Sequence, residues 1–217
     1  MSGSSNWVPY YIPNKATPGI VGELIPLVLS EADIAGVEIN FPPKRTNQAL
    51  KNGDLDFDTV CAEWFPDQNV GPEFVLSEPF LTVKEYFVTL KSGSVENKVF
   101  GTNIGTVLGY YYYDDNSFHR IDFKSEKELV LALKKERIER VLIGDLTASY
   151  WSKKLNIPLE LQQLHTQGEL RIRLHKQKQH LLPKINAAIQ SLKKNGTVNN
   201  IVEKYTRLYQ SELKYSN

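Results

Sequence analysis

Chemistry-bearing residues gather in four stretches of this chain. The first is FGTNIGTVLGYYYYDD, residues 100–115, where Gly101, Gly105 and Gly109 recur every four residues and Thr106 follows the second. Four tyrosines, Tyr110 to Tyr113, come next. Such a pattern suits a phosphate loop, a membrane-helix contact or a small-ligand loop at a helix N-terminus. The second stretch, CAEWFPDQNVGPEF, sets Glu63 and Asp67 around Trp64. Acids beside an indole hold a cation by charge and by the ring face. The third is WVPYY, with Trp7, Tyr10 and Tyr11, and the fourth is RVLIGD, which ends on Asp145. Each also has a plain structural reading: tyrosines covering a sheet, an N-terminal tryptophan packing under the first helix, Asp145 as a helix cap, Glu63 and Asp67 facing solvent.

Other chemistries find little support. The histidines are His119, His165, His175 and His180, and none stands in HExxH or another metal spacing, so no metal site and no cofactor is expected. Cys61 is alone, which excludes an intrachain disulfide and a cysteine metal cluster; within DTVCAEW it reads as a small buried residue. Formal net charge is +1, from 26 basic and 25 acidic residues with no run of like charge, so nucleic acid is not an expected partner. With 41% apolar and 24% charged residues the chain is globular. Its 217 residues suit one large domain or two small lobes. No stretch reaches the roughly 18 apolar residues of a membrane span. MSGSS reads as a start codon and a cloning scar, so a leader is expected to have been removed.

The elements that must position these residues alternate. GIVGELIPLVLSEAD (19–33) has helical apolar spacing, VEINF (37–41) reads as a strand, and RTNQALKNGD as a short helix stopped by Gly53. LDFDTVCA (55–62) and EYFVTLK (85–91) read as strands. After SGSVEN a second series begins: a strand at KVFG (98–101), a helix opening within 105–114, and a strand at HRIDF (119–123). SEKELVLALKKE carries a capping box from Ser125 to Glu128, followed by strand RVLIGD and helix LTASYWSKKL. LELQQL (159–164) and LRIRLHK (170–176) read as separate strands, and two helices close the chain, with Pro183 in the first one's opening turn. Alternating strands and helices indicate an α/β protein with largely parallel sheets, whose ligands lie beyond the carboxyl ends of strands.

Several pieces, in order, resemble the extracytoplasmic solute-binding proteins of ABC importers, in the polar amino-acid-binding branch. They are WVPYY, GIVGEL, ALKNGDLDFD, FVLSEPF, VFGTNIGTV, ELVLALKKERIERVLIGD and LLPKINAAIQSLKKNGTVNNIVEKY, spread over nearly the whole chain. The resemblance implies a two-lobed periplasmic-binding-protein-like (type II) fold, with two mixed, mostly parallel sheets joined by two crossover strands. Lobe one would hold 1–88 and 167–217, lobe two 89–166, with the ligand between them.

The resemblance also implies roles. Gly105 and Thr106 would open a lobe-two helix whose backbone N–H groups meet an anionic ligand group. A P-loop is excluded because no Gly-Lys-Ser/Thr follows, and a GxxxG contact because the flanks are polar. Tyr110 is the tyrosine expected to reach the cleft. Asp145 would pair with a ligand ammonium, and Trp7 would lie over the ligand with Tyr10 beside it. The chain departs from the family at the arginine that grips the ligand carboxylate. No arginine occurs between Arg45 and Arg120, and Gln68 or Val70 stands where it is expected. Glu63 and Trp64 therefore point to a small polar solute, cationic or zwitterionic. The function expected is solute capture by hinge closure and delivery to an ABC permease in the membrane, by a periplasmic monomer that is not an enzyme. The alternatives are a sensor domain of a signalling receptor and, less favoured, a dehydratase-like enzyme using Glu63.

Overall fold

The computed structural model describes residues 7–39, 41, 43–91, 102–209 and 214–215. Eight strands form a continuous sheet in the order β1-β7-β3-β6-β4-β5, with β2 and β8 also on β7. Two long strands run through its middle, β3 (Leu81–Leu90) and β7 (Leu159–His175), paired antiparallel. β7 joins what the sequence divides into strands at 159–164 and 170–176. The polar stretch between them, Thr166 to Glu169, pairs with Thr82 to Glu85 of β3 and so continues the ladder. Gly168 is needed there: a Cβ would lie 2.8 Å from Glu63 Oε2 and 3.1 Å from Cys61 Cβ.

One apolar core gathers at the start of β3 and the end of β7. β1 (Phe57–Cys61) and β2 (Phe74–Leu76) pair with β7 there. Helices α1 (Ile20–Glu31), α5 (Leu182–Lys194) and α6 (Thr197–Tyr209) pack against them. α1 buries Ile20, Val21, Leu24, Ile25, Val28 and Leu29, a stripe at helical period. Gly19 starts it with φ 95°, and a Cβ would fall 2.4 Å from the Tyr10 carbonyl oxygen, so only glycine fits. The Tyr205 hydroxyl accepts from Gly19 N–H at 3.0 Å and donates to Glu23 at 2.6 Å, tying α6 to α1. A short helix α2 (Pro43–Asn52) lies beside β1, ended by Gly53 at φ 79° as expected. Residues 37–39 and 41, read as part of a strand, form none; the described residues show no partner strand for them.

A second core gathers at the other end of β3 and β7. Strands β4 (Asn103–Val107), β5 (His119–Phe123) and β6 (Val141–Gly144) carry helices α3 (Glu126–Lys134) and α4 (Asp145–Leu155). Ser125 caps α3 by accepting Glu128 N–H at 3.3 Å, while the Glu128 carboxylate accepts Lys124 N–H at 3.1 Å. Among the described residues parallel pairing is confined to β4–β5, β4–β6 and the short β8 (Lys214–Tyr215) on β7; the long central pair and its neighbours are antiparallel. The two cores and the two strands that pass between them make a two-lobed, type II periplasmic-binding-protein-like fold.

The helix expected to open at Gly105 is absent. Residues 103–107 are strand β4, in parallel register with 119–123. A Cβ on Gly105 would meet Val141 at 2.7 Å and Leu129 at 3.1 Å, so the close approach this glycine permits is between β4, β6 and α3, inside the second core. The strand expected at 98–101 lies outside the described residues.

Candidate functional site

Between the two cores lies a cavity of about 110 Å³. The N-terminal segment and the turns after β1 bring Trp7, Tyr11, Trp64 and Phe65 to it; the turn after β4 brings Tyr110 and Tyr111. These rings touch one another. Trp7 stacks on Tyr10 at 4.2 Å and meets Trp64 edge-on at 5.8 Å. Phe65 and Tyr111 face each other from opposite sides, ring centres 4.8 Å apart.

The tyrosine run divides its labour. Tyr110 and Tyr111 line the cavity. Tyr112 is buried with Ile104 and Leu142 on the sheet face away from α3 and α4. Tyr113 is 44% exposed and lies on the His165 ring. His165 closes this region, with Nε2 2.8 Å from Asp114 and Nδ1 2.6 Å from the Thr166 hydroxyl.

The charged groups at the cavity are of two kinds. Arg173 and Asp58, opposed in the β1–β7 register, form a buried bidentate pair: Nε donates to Oδ1 at 3.0 Å and Nη2 to Oδ2 at 2.7 Å. Nη1 donates to Asn47 Oδ1 at 3.0 Å, and the guanidinium lies 4.7 Å from the Phe74 ring centre. Burial raises the Asp58 pKa, and Arg173 opposes that rise. This arginine is thus committed inside the protein.

Glu85 is the other kind. It lies in β3 opposite Gly144 of β6 and Thr166 of β7, at a register shift in the β3–β7 ladder. Part of the residue faces the cavity, while Oε2 is shut from solvent and has no hydrogen-bond partner. The Trp64 indole N–H comes near enough to favour the charged form, but outside hydrogen-bond geometry. Burial pushes the Glu85 pKa up to about 8. A second buried acid, Glu126 at the start of α3, accepts the Tyr110 hydroxyl at 3.1 Å. Burial pushes it up to about 8 as well, against the pull of Tyr110, the Trp151 indole and Val8 N–H.

Of the eight residues given a ligand role from the sequence, Trp7, Trp64 and Tyr110 come together at the cavity and the other five do not line it; Tyr11, named beside Trp7, does. Tyr10 is 2% exposed and lies in the first core behind Trp7. Glu63 turns to β7, where Oε2 accepts Glu169 N–H at 3.2 Å. Gly105 and Thr106 are within β4, and the Thr106 hydroxyl donates to Asp122 at 2.7 Å. Asp145 follows β6 and opens α4, as its place in RVLIGD suggests, but its carboxylate accepts Leu146 N–H at 2.7 Å. Burial raises its pKa, countered by that N–H and by Lys84. Next to it the Thr147 hydroxyl donates to the Val8 carbonyl at 2.7 Å, a direct tie between α4 and the N-terminal segment.

Arg173, Asp58, Glu85 and Phe65 escaped the sequence reading, and Tyr111 was named there only as one of a run in which Tyr110 was expected to reach the cleft. Arg173 stands in LRIRLHK, far along the chain from the segment where an arginine was sought, and its tie to Asp58 becomes visible only with the strand register. Glu85 did leave a trace, as an acid within the apolar strand TVKEYFVTL.

The family model of bacterial extracellular solute-binding proteins, family 3, matches residues 2–207. The chain belongs to that family. No curated protein matches the sequence. Among solved structures, a family-binding protein for His/Glu/Gln/Arg/opine from Silicibacter pomeroyi, in complex with lysine, superposes with TM-score 0.75 at 16% identity, covering 99% of this chain and 98% of that one. ArgBP from T. maritima gives TM-score 0.75 at 16% identity, with 95% and 93% covered. The BvgS VFT2 domain of Bordetella pertussis gives 0.76 at 13%, with 94% and 91% covered. These likenesses establish the shared fold.

Proposed function

We propose that this solute-binding protein captures a small polar, amine-bearing or amino-acid-like solute in the cavity between its lobes and hands it to an ABC permease. Lobe one is residues 1–88 with 167–217, lobe two 89–166, and β3 and β7 are the crossover strands. The single observation that carries the reading is the aromatic cavity to which both sides contribute, Trp7 and Trp64 from one and Tyr110 and Tyr111 from the other. A solute gripped from both sides binds the closed state more tightly than the open one, and that difference is what shifts the hinge. A solute touching one lobe would leave the equilibrium unchanged. No bond is made or broken, and the protein works in the periplasm as a monomer.

A second reading, the ligand-sensing domain of a larger receptor, draws on the likeness to the BvgS domain. Reconstituted uptake separates the two: the loaded protein stimulates a cognate permease in the first reading and none in the second.

The test is a thermal-shift screen over amino acids, amines, betaines and small acids. A solute at 100 times its Kd adds about 2.7 kcal/mol, and a domain of this size gains roughly 2–4 °C per kcal/mol. A shift of that size with at least one solute is expected. No shift across the screen at millimolar concentration contradicts the reading.

A further inference from the structure

We propose that the cleft selects an organic monocation that carries no carboxylate, and that Glu85 supplies the counter-charge. This deepens the solute-binding reading and rests on it. An amino acid's α-carboxylate calls for a cation or a helix N-terminus, and the helix start expected at Gly105 is strand β4. Among the described residues that line the cavity the one cationic side chain is Arg173, and it is already held by Asp58, Asn47 and the Val70 carbonyl. Its side chain is 2% exposed. Recruiting it would strip Asp58 of its partner in a buried setting, which is strongly unfavourable.

Negative charge is in the opposite position. Glu85 lines the same cavity, and one oxygen of its carboxylate, Oε2, lies just behind that wall with no hydrogen-bond partner in the protein. A buried polar group without a partner is disfavoured until something arrives to pair with it. Tyr10, Cys61, Tyr112 and Glu126 each feel the charge of Glu85, and none of them is a cation. The nearest lysine along the strand, Lys84, acts on Asp145. Much of the rest of the wall is rings, set among Thr46, Asn47, Thr59 and Val60; ring faces attract a cation and their area suits its apolar part. At about 10–15 Å³ per water, a cavity of about 110 Å³ has room for roughly ten non-hydrogen atoms.

Matched pairs of probes differing in the carboxylate test this on the intact protein: phenethylamine with phenylalanine, isoamylamine with leucine, choline with glycine betaine. Calorimetry is run at pH 7 in buffers of different ionisation heat. At least one carboxylate-free member is expected to bind ten times more tightly than its partner or better, releasing a proton from Glu85 as it does so. Glu85→Gln should weaken that probe tenfold or more and abolish the proton release, with Glu85→Asp recovering part of the affinity. The glutamine variant removes a buried acid and so should melt no lower than the parent at pH 7, which separates lost affinity from lost folding. Tighter binding of the carboxylate-bearing members overturns the monocation proposal and leaves solute capture standing. Equal binding by parent and Glu85→Gln overturns the role of Glu85. If no amine binds, the proposal fails, and the broader thermal-shift screen then decides separately whether the protein captures any solute.

Discussion

The two ends of the cleft handle buried charge in opposite ways. At one end Asp58 and Arg173 satisfy each other with two hydrogen bonds, and Asn47 takes a third. At the other, Glu85 is half-buried, with one carboxylate oxygen shut from solvent and unpaired. The comparison teaches that charge at a cavity wall is not in itself a binding group. A pair closed on itself fixes the wall, joining β1 to β7. A lone acid leaves an unmet demand, and a ligand can meet it. The presence of an arginine in the cleft would invite an amino-acid reading; its hydrogen bonds argue against one.

The largest effect should come from breaking the satisfied end. Arg173→Ala strands Asp58 in the interior, which costs about 3–5 kcal/mol and should lower the melting temperature by roughly 6–20 °C. Replacing both partners together, Asp58→Leu with Arg173→Met, should recover most of that, because no buried charge is then left alone. A loss under about 1 kcal/mol for Arg173→Ala would mean the pair is not structural and would erase the contrast.

The unsatisfied end predicts an inverted pH dependence. Glu85 and Glu126 have folded pKa values near 8, above the ordinary carboxylate value of 4.5. The unfolded chain therefore releases these protons first. Their contribution to stability is intact below the unfolded value, falls as pH rises through that window, and is flat above about 8. Glu85→Gln should match the parent near pH 4 and melt several degrees higher at pH 8. Identical melting curves at pH 8 would show that Glu85 carries no penalty for the ligand to relieve.

Smaller effects sharpen the distinction between cavity and scaffold. Asp145→Ala removes an acceptor for Leu146 N–H and a favourable charge at the start of α4, about 0.5–2 kcal/mol, and should leave the ligand-induced thermal shift unchanged. If the shift disappears, Asp145 holds the ligand ammonium after all. Thr106→Val removes one hydrogen bond to Asp122, about 0.5–1.5 kcal/mol, again with no change in ligand response by calorimetry.

Much of the fold was legible because it is local. The stripe in α1, the Ser125–Glu128 cap, Gly53 after α2 and Pro183 in the first turn of α5 each declare themselves within a few residues. The misreadings were long-range. Gly105 looked like a helix start because a glycine permits close backbone approach, and what approaches it, Val141 and Leu129, comes from elsewhere in the chain. The stretch from 165 to 169 looked like a loop because it is polar, and becomes strand only through its register with β3. At the site the aromatic residues near Trp7, Trp64 and Tyr110 were legible as a class. Their geometry was not, since a run of tyrosines does not reveal that two face the cavity, one the sheet and one the His165 ring. The charge pattern depended wholly on pairing between β1 and β7 and on the place of Glu85 in the crossover strand.

The central claim is that a solute is enclosed between two hinged halves. Phe65 and Tyr111 meet across that boundary with ring centres 4.8 Å apart, so cysteines at both positions, joined by a reducible bifunctional thiol reagent that spans the room the two rings filled, can close it covalently. Stopped-flow association of the solute found by the thermal-shift screen, with Phe65→Cys/Tyr111→Cys cross-linked and then reduced, is the direct measurement. Association at least tenfold slower when cross-linked and restored on reduction is predicted. Equal rates in both states would contradict enclosure by hinge closure.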